Sequence, residues 1–163
     1  MSREDHLNRC IALAEEALEA GDAPFGSVLV GADGSVLREA RNRARTGDPT
    51  QHPEFELARW AAQNLSEEAR AAATVYTSGE HCPMCSAAHG WAGLGPVVFI
   101  HSTDQLAGWM AELGVEKGPV AQLGIARIAP NVPVEGPIEE LAGRMRALHA
   151  RAHGRDGQGD GIR

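Results

Sequence analysis

Two short clusters in this 163-residue chain carry side chains suited to chemistry: His52-Pro53-Glu54 and, thirty residues after the histidine, Cys82-Pro83-Met84-Cys85. Imidazole nitrogen and thiolate sulfur are zinc ligands, usually arranged as a tetrahedron. His52, Cys82 and Cys85 supply three, and no third nearby cysteine closes the site. Three ligands with one open place, to be filled by water, is the pattern of a catalytic zinc. One zinc ion per chain is therefore expected. Proline is favoured at the first position inside a helix, so His52 and Cys82 each sit at or next to a helix start. Both helices then turn their positive ends toward the metal, which favours thiolate over thiol. The i, i+3 step from Cys82 lets Cys85 reach the same ion. Glu54 lies two residues past His52, near enough to take a proton from the metal's water without being a ligand, which makes it the candidate catalytic acid–base.

These residues need a frame. Ser2 and Asp5 form a helix-start signal, and Leu7, Ile11, Ala14 and Leu18 recur at helical spacing over about 3–19. A β-type run over 27–30, the hairpin pair Asp33-Gly34 and a second run over 36–44 follow. The pattern then predicts a helix over 53–64, a strand over 74–77, a helix over 83–92, a continuously apolar strand over 97–100, a helix over 103–113, a last strand over 124–129 and a final helix over 135–152. A hairpin followed by alternating strands and helices indicates an α/β fold, a mixed five-stranded sheet between helix layers. Length and the absence of a linker predict one domain over 1–153, and the Gly-rich stretch 154–163 reads as a frayed, disordered tail.

Composition narrows the partners. Apolar residues make up 43%, enough for an ordinary core, and 22 acidic residues against 15 basic ones leave a net charge of −7. Nucleic-acid binding needs a basic footprint, so that class is disfavoured, whereas a small uncharged ligand is not. No apolar run reaches the roughly 18 residues of a membrane span. The polar start does not read as a signal peptide, and three cysteines do not make a disulfide framework, so a reducing cytoplasm is the expected compartment. Cys10 falls on the apolar face of the first helix and reads as core.

His52-x-Glu54 with Cys82-x-x-Cys85 resembles the zinc signature of the cytidine deaminase-like superfamily. The resemblance covers roughly 3–113. Asp22-Ala-Pro-Phe-Gly26 is similar to the family's turn before the first strand, Asn42 falls where the family holds the base with an asparagine, and Asp48-Pro49-Thr50 and Trp91 resemble the guanine deaminase branch. His81 departs from the pattern, standing where the family has proline. The resemblance implies a three-layer α/β/α sandwich and zinc-dependent hydrolytic deamination of a free nucleobase or related amino-heterocycle of the guanine, cytosine or amino-s-triazine type. It implies Glu54 as proton carrier, the Cys82 N–H as partner of the developing oxygen or amine, and a homodimer.

For substrate contacts the candidates are Asn42 as a base-holding amide, Phe25 as a stacking face, Trp91 and His81 as pocket walls, and Asp104 or Glu80 against an amino group. Each has a plainer reading: strand-end cap, core filler, helix-packing residue, helix-start acid. His89 and His101 read as core histidines rather than pocket residues. Two alternatives stand beside the nucleobase reading. A tRNA-specific adenosine deaminase shares the signature but needs a basic surface. A non-catalytic zinc-stabilised interaction module would have no use for Glu54.

Overall fold

The computed structural model describes residues 1–154. Apart from Gly154, the expected tail lies outside the described residues. Helix α1 (Arg3–Glu19) starts at a capping box between Ser2 and Asp5. The hairpin β1 (Gly26–Val30) and β2 (Val36–Arg41) follows, then α2 (Pro53–Asn64), a short α3 (Glu67–Ala71), β3 (Thr74–Gly79), α4 (Pro83–Ala92), β4 (Val97–His101), α5 (Thr103–Glu112), a single turn α6 (Ile125–Ile128), β5 (Val134–Glu135) and α7 (Glu139–Gly154). The five strands form one sheet in the order β2-β1-β3-β4-β5. β1 is antiparallel to β2 and β3, while β3, β4 and β5 are parallel, so the sheet is mixed.

Both faces of the sheet are covered because alternate side chains of one strand point to opposite sides. On one face Leu7, Ile11 and Ala14 of α1 and Met145 and Leu148 of α7 pack on Val98 and Ile100. On the other, Leu57, Ala58 and Ala61 of α2 pack on Leu29, Ala40 and Val75, with Ala88 and Ala92 of α4 against the same cluster. Cys10 is fully buried under Val28 and Val30, as expected of a core residue, and burial pushes its thiol far above the usual range. Among the described residues no helix is long and apolar enough to cross a membrane.

The layer architecture follows the sequence reading, but the last strand does not. The stretch 124–129 is the helical turn α6, and the fifth strand is the two-residue β5. Ile125 and Ile128 are three apart, which puts both on one side of a helical turn, and Ile125 packs on Val97 and Phe99. The Ile125 N–H at the start of that turn is held by the Glu80 carboxylate at 2.8 Å. The place beside β4 is taken by the chain after Pro133, whose carbonyl accepts the Val97 N–H at 2.9 Å. The final helix accordingly starts at Glu139 rather than 135. β2 stops at Arg41, because the Asn42 side chain accepts the Ala44 N–H at 2.9 Å and turns the backbone out of the ladder. α3, unforeseen, is capped by Ser66, whose hydroxyl accepts the Ala69 N–H at 3.1 Å.

Strand polarity then sets where chemistry is possible. β3 and β4 end at Gly79 and His101, paired side by side. β1 begins and β2 ends at the same edge, where Gly26 pairs with Arg41. Phe25, Asn42, Cys82 and His101 therefore converge on one edge of the sheet, the edge where open α/β sheets bind ligands. Gly26 lets α1 approach this edge. A Cβ there would lie 2.6 Å from the Cys10 carbonyl oxygen and 2.8 Å from the Ala14 nitrogen, and against the Leu13 side chain. Gly26→Ala should consequently cost about 1–3 kcal/mol, as overpacking does, and lower the melting temperature in a thermal scan by several degrees. An unchanged midpoint would show that α1 is free to shift.

Candidate metal centre and active site

His52 is the N-cap of α2 and Cys82 the N-cap of α4, each followed by proline at the first helical position. The two helix starts meet over the sheet edge. The His52 Nδ1 lies 3.4 Å from the Cys82 Sγ and 3.6 Å from the Cys85 Sγ, and all three ligand atoms fall within 4.8 Å of one another. Zinc bonds of about 2.0–2.1 Å to nitrogen and 2.3 Å to sulfur, at tetrahedral angles, separate N and S ligands by roughly 3.6 Å. The side chains are thus already spaced as a tetrahedral zinc requires. The Cys85 N–H points to the Cys82 Sγ at 3.5 Å, a contact that favours thiolate at the start of a helix. Cys85 is buried and Cys82 half-buried.

Glu54, in the first turn of α2, is 1% exposed. Its Oε1 accepts the Thr77 hydroxyl at 2.9 Å, and the Thr77 oxygen in turn accepts from the Ser27 hydroxyl at 2.8 Å. Ser27 and Thr77 are register partners of β1 and β3, so the sheet itself orients the carboxylate. Neither Ser27 nor Thr77 stands out in the sequence; each reads there as an ordinary strand residue.

A cavity of about 430 Å³ opens on His52 and Cys82, with Phe25, His101, Leu106 and His149 among its walls. Phe25 is 1% exposed and lies against the His149 ring, edge to face, at 4.9 Å. Asn42 is fully buried, its Oδ1 engaged by Ala44 and its Nδ2 without a hydrogen-bond partner among the described residues. It combines the strand-end cap of the plainer reading with one unspent donor. Glu80 lines the cavity, but its two oxygens accept the N–H groups of Thr103, at 2.9 Å, and Ile125, at 2.8 Å, tying the starts of α5 and α6 together. His81 is fully buried, edge-on to His89 at 5.1 Å, and is not part of the cavity wall. His89 is a core histidine: its Nε2 pairs with the Gly95 carbonyl at 2.7 Å, and burial lowers its pKa.

Of the expected substrate contacts, Asn42, His81, Trp91 and Asp104 do not line the cavity. Trp91 is 92% exposed and borders a separate depression with Pro130 and Pro133. At about 100° per residue, the six positions from Cys85 to Trp91 turn it roughly 120° away from the metal-facing side of α4. Asp104 is exposed in the first turn of α5 and outside the cavity wall. It stands two positions from Leu106, which faces the cavity, and so lies across the helix from it. Conversely, His101 does line the cavity, and His149 was missed. The signal for His149 existed: it falls on the buried stripe of Ala142, Met145 and Leu148, where a polar side chain calls for a reason.

The loop from Asn42 to His52 is anchored by Asp22. Its buried carboxylate accepts the N–H groups of Arg45, at 3.0 Å, and Thr46, at 2.8 Å, the Thr46 hydroxyl at 2.8 Å, and the Arg41 guanidinium at 3.2 Å. Burial alone would raise this carboxyl, yet the hydrogen bonds from Thr46, Arg41 and Arg45 outweigh it and hold the pKa below the ordinary value.

The family model described as the cytidine and deoxycytidylate deaminase zinc-binding region matches residues 1–101. The chain belongs to this family. Over 101 residues it is 33% identical to a probable cytosine deaminase of Schizosaccharomyces pombe, covering 62% of this chain and 61% of that one. Over 94 residues it is 40% identical to a guanine deaminase of Bacillus subtilis, covering 56% and 60%. A tRNA-specific adenosine deaminase of Agrobacterium fabrum is 35% identical over 91 residues, covering 55% and 59%. The chain spans about three fifths of the length of these curated relatives. The structure of a guanine deaminase from Nitrosomonas europaea superposes on 94% of this chain and 85% of its own with a TM-score of 0.68, at 20% identity, which establishes the shared fold. The deaminase zinc-binding family and the three-ligand centre together make zinc the cofactor.

Two outcomes follow. Elemental analysis should find one zinc per chain in the purified protein and almost none after His52→Ala, Cys82→Ala or Cys85→Ala. Metal-free wild-type protein with deaminase activity would contradict the centre. Asp22→Ala should cost about 3–5 kcal/mol near neutral pH, as breaking a buried pair does. Because the folded pKa is depressed, the contribution of Asp22 is present above the unfolded pKa and is lost as pH falls through the folded one. The gap between denaturant titrations of the two proteins should narrow in acid.

Proposed function

We propose that this chain is a zinc-dependent aminohydrolase that deaminates a free nucleobase or related amino-heterocycle, of the guanine, cytosine or aminotriazine type. The observation that carries this reading is the cavity beside His52 and Cys82. Its walls combine aromatic and aliphatic residues with a few polar ones, Glu80, Glu116 and Gln122 among them, and among the described residues it is lined by no arginine and by Lys117 as its lysine. Lys117 is the one lysine of the chain, and the net charge is −7. A polynucleotide substrate needs clustered cations for its phosphates, whereas a neutral heterocycle needs an apolar slot with a few polar groups.

In this reading water attacks the amidine-type carbon, a C–O bond forms, the C–NH₂ bond breaks, and ammonia leaves as an oxo group replaces the amine. Bound zinc supplies Lewis-acid activation of the attacking water. Glu54 carries one proton from the attacking water to the ring nitrogen and a second, from the hydroxyl so added to the carbon, to the leaving amine, held in place throughout by Thr77. The Nδ2 of Asn42 donates to an acceptor on the ring, and Phe25 offers its face. The Cys82 N–H is the partner assigned to the developing oxygen or amine. A reducing cytoplasm and a homodimer complete the reading.

A second reading, deamination of an adenosine in tRNA, draws on the tRNA-specific relative of similar identity. An ammonia-release screen over free bases, nucleosides, aminotriazines and a tRNA anticodon stem-loop separates the two. Turnover is expected on a free heterocycle, with little dependence on ionic strength. Turnover confined to the stem-loop, weakening steeply with salt, would replace the first reading by the second. Glu54→Ala should retain zinc while losing at least about 10²–10⁴-fold in rate on the best substrate, and near-normal turnover would refute its role.

A further inference from the structure

We propose that His149, on the C-terminal helix α7, is a specificity-determining residue that hydrogen-bonds the substrate's ring edge; this rests on the heterocycle reading above. The cavity has two unlike halves. One contains His52 and Cys82, at the starts of α2 and α4. The other is a cluster of rings: Phe25 lies 4.9 Å from His149 and His101 lies 5.2 Å from it at nearly a right angle, while Trp109, outside the cavity wall, lies 6.2 Å from His149. A heterocycle that presents its amino carbon to the metal half lays its remaining edge toward this cluster. Phenylalanine offers that edge only a π face. An imidazole both donates and accepts, and so can match the alternating ring nitrogens, amines and carbonyls by which the bases differ.

His149 is rigid. It is 1% exposed, and α7 is clamped to the sheet by Met145, four residues earlier on the same stripe, and by Leu148. A fixed ring keeps its hydrogen-bond direction, which is what discrimination between similar heterocycles requires. Its position in the chain carries a further consequence. The family match ends at residue 101, and His149 lies beyond it. The metal half of the cavity comes from the shared region, while the ring cluster joins Phe25 and His101 of that region to His149 from outside it. Relatives with different substrates are expected to diverge there.

The test compares the zinc-loaded chain with His149→Phe, which keeps the aromatic packing, and with His149→Asn and His149→Gln, which place an amide near one or the other ring nitrogen. Binding of guanine, cytosine and 2,6-diaminopurine is measured by calorimetry in a Glu54→Gln background. Turnover is measured without that change, and zinc content and melting temperature in all. His149→Phe should keep its zinc and its melting temperature, weaken binding of the preferred heterocycle by about 10–100-fold and flatten the preference among the three. One of the two amide variants should recover most of the loss. Binding and preference untouched by His149→Phe overturn the assignment. So does a loss that neither amide restores and that tracks a fall in melting temperature, since His149 is then a packing residue. If the unmodified chain neither binds nor deaminates any free heterocycle, the functional reading falls and takes this one with it, whereas tight binding that His149→Phe leaves intact removes His149 alone.

Discussion

Three metal-ligand atoms from two separate helices must come within about 4 Å of each other, and most of the structure answers to that requirement. The His52 Nδ1 stands 3.4 Å and 3.6 Å from the two sulfurs. Such spacing demands that the starts of α2 and α4 abut. Proline at the first position of each helix fixes where the helix begins. Alanines where the two helices share a core, Ala58 and Ala61 on one and Ala88 and Ala92 on the other, let the backbones approach. The crossover from β3 into α4 then brings Cys82 in just after the strand end, beside the neighbouring end of β4. Without the sheet beneath, neither helix start has a reason to face the other.

The carboxylate depends on the same edge. Glu54 is almost entirely removed from solvent, and a buried carboxylate needs hydrogen-bond donors. It finds one in Thr77, which is itself held by Ser27 across the β1–β3 ladder. A strand pair thereby orients a side chain on a helix. The loop between Asn42 and His52 is treated similarly, with Asp22 gathering two backbone N–H groups, a hydroxyl and a guanidinium. Glu80 performs the corresponding service for the far wall by holding the starts of α5 and α6. The cavity is thus built from both parts of the chain. Residues up to 101, shared with the deaminase family, carry the metal centre and Glu54. The later helices close the cavity over it.

The sequence by itself determined the ligands and most of the frame. Helix starts with proline or a capping box, strands with unbroken apolar runs and a Cys-x-x-Cys step are local signals, set by interactions within a few residues, and α1, α2, α4 and the first four strands followed them. Only the tertiary structure decided the rest, because those features depend on partners distant in the chain. The stretch 124–129 has a strand-like composition, but a turn of helix wins there because Glu80, forty-five residues back, holds the Ile125 N–H. A two-residue stretch, too short to leave a pattern, pairs with β4 instead. Trp91 and Asp104 are residue types that suit a pocket, yet helical phase turns both away from it. His149 is a polar residue on a buried stripe whose neighbours appear only when α7 packs across the sheet edge and brings it against Phe25 and His101. Local propensity selects the elements; which faces meet is settled by the burial of all of them at once.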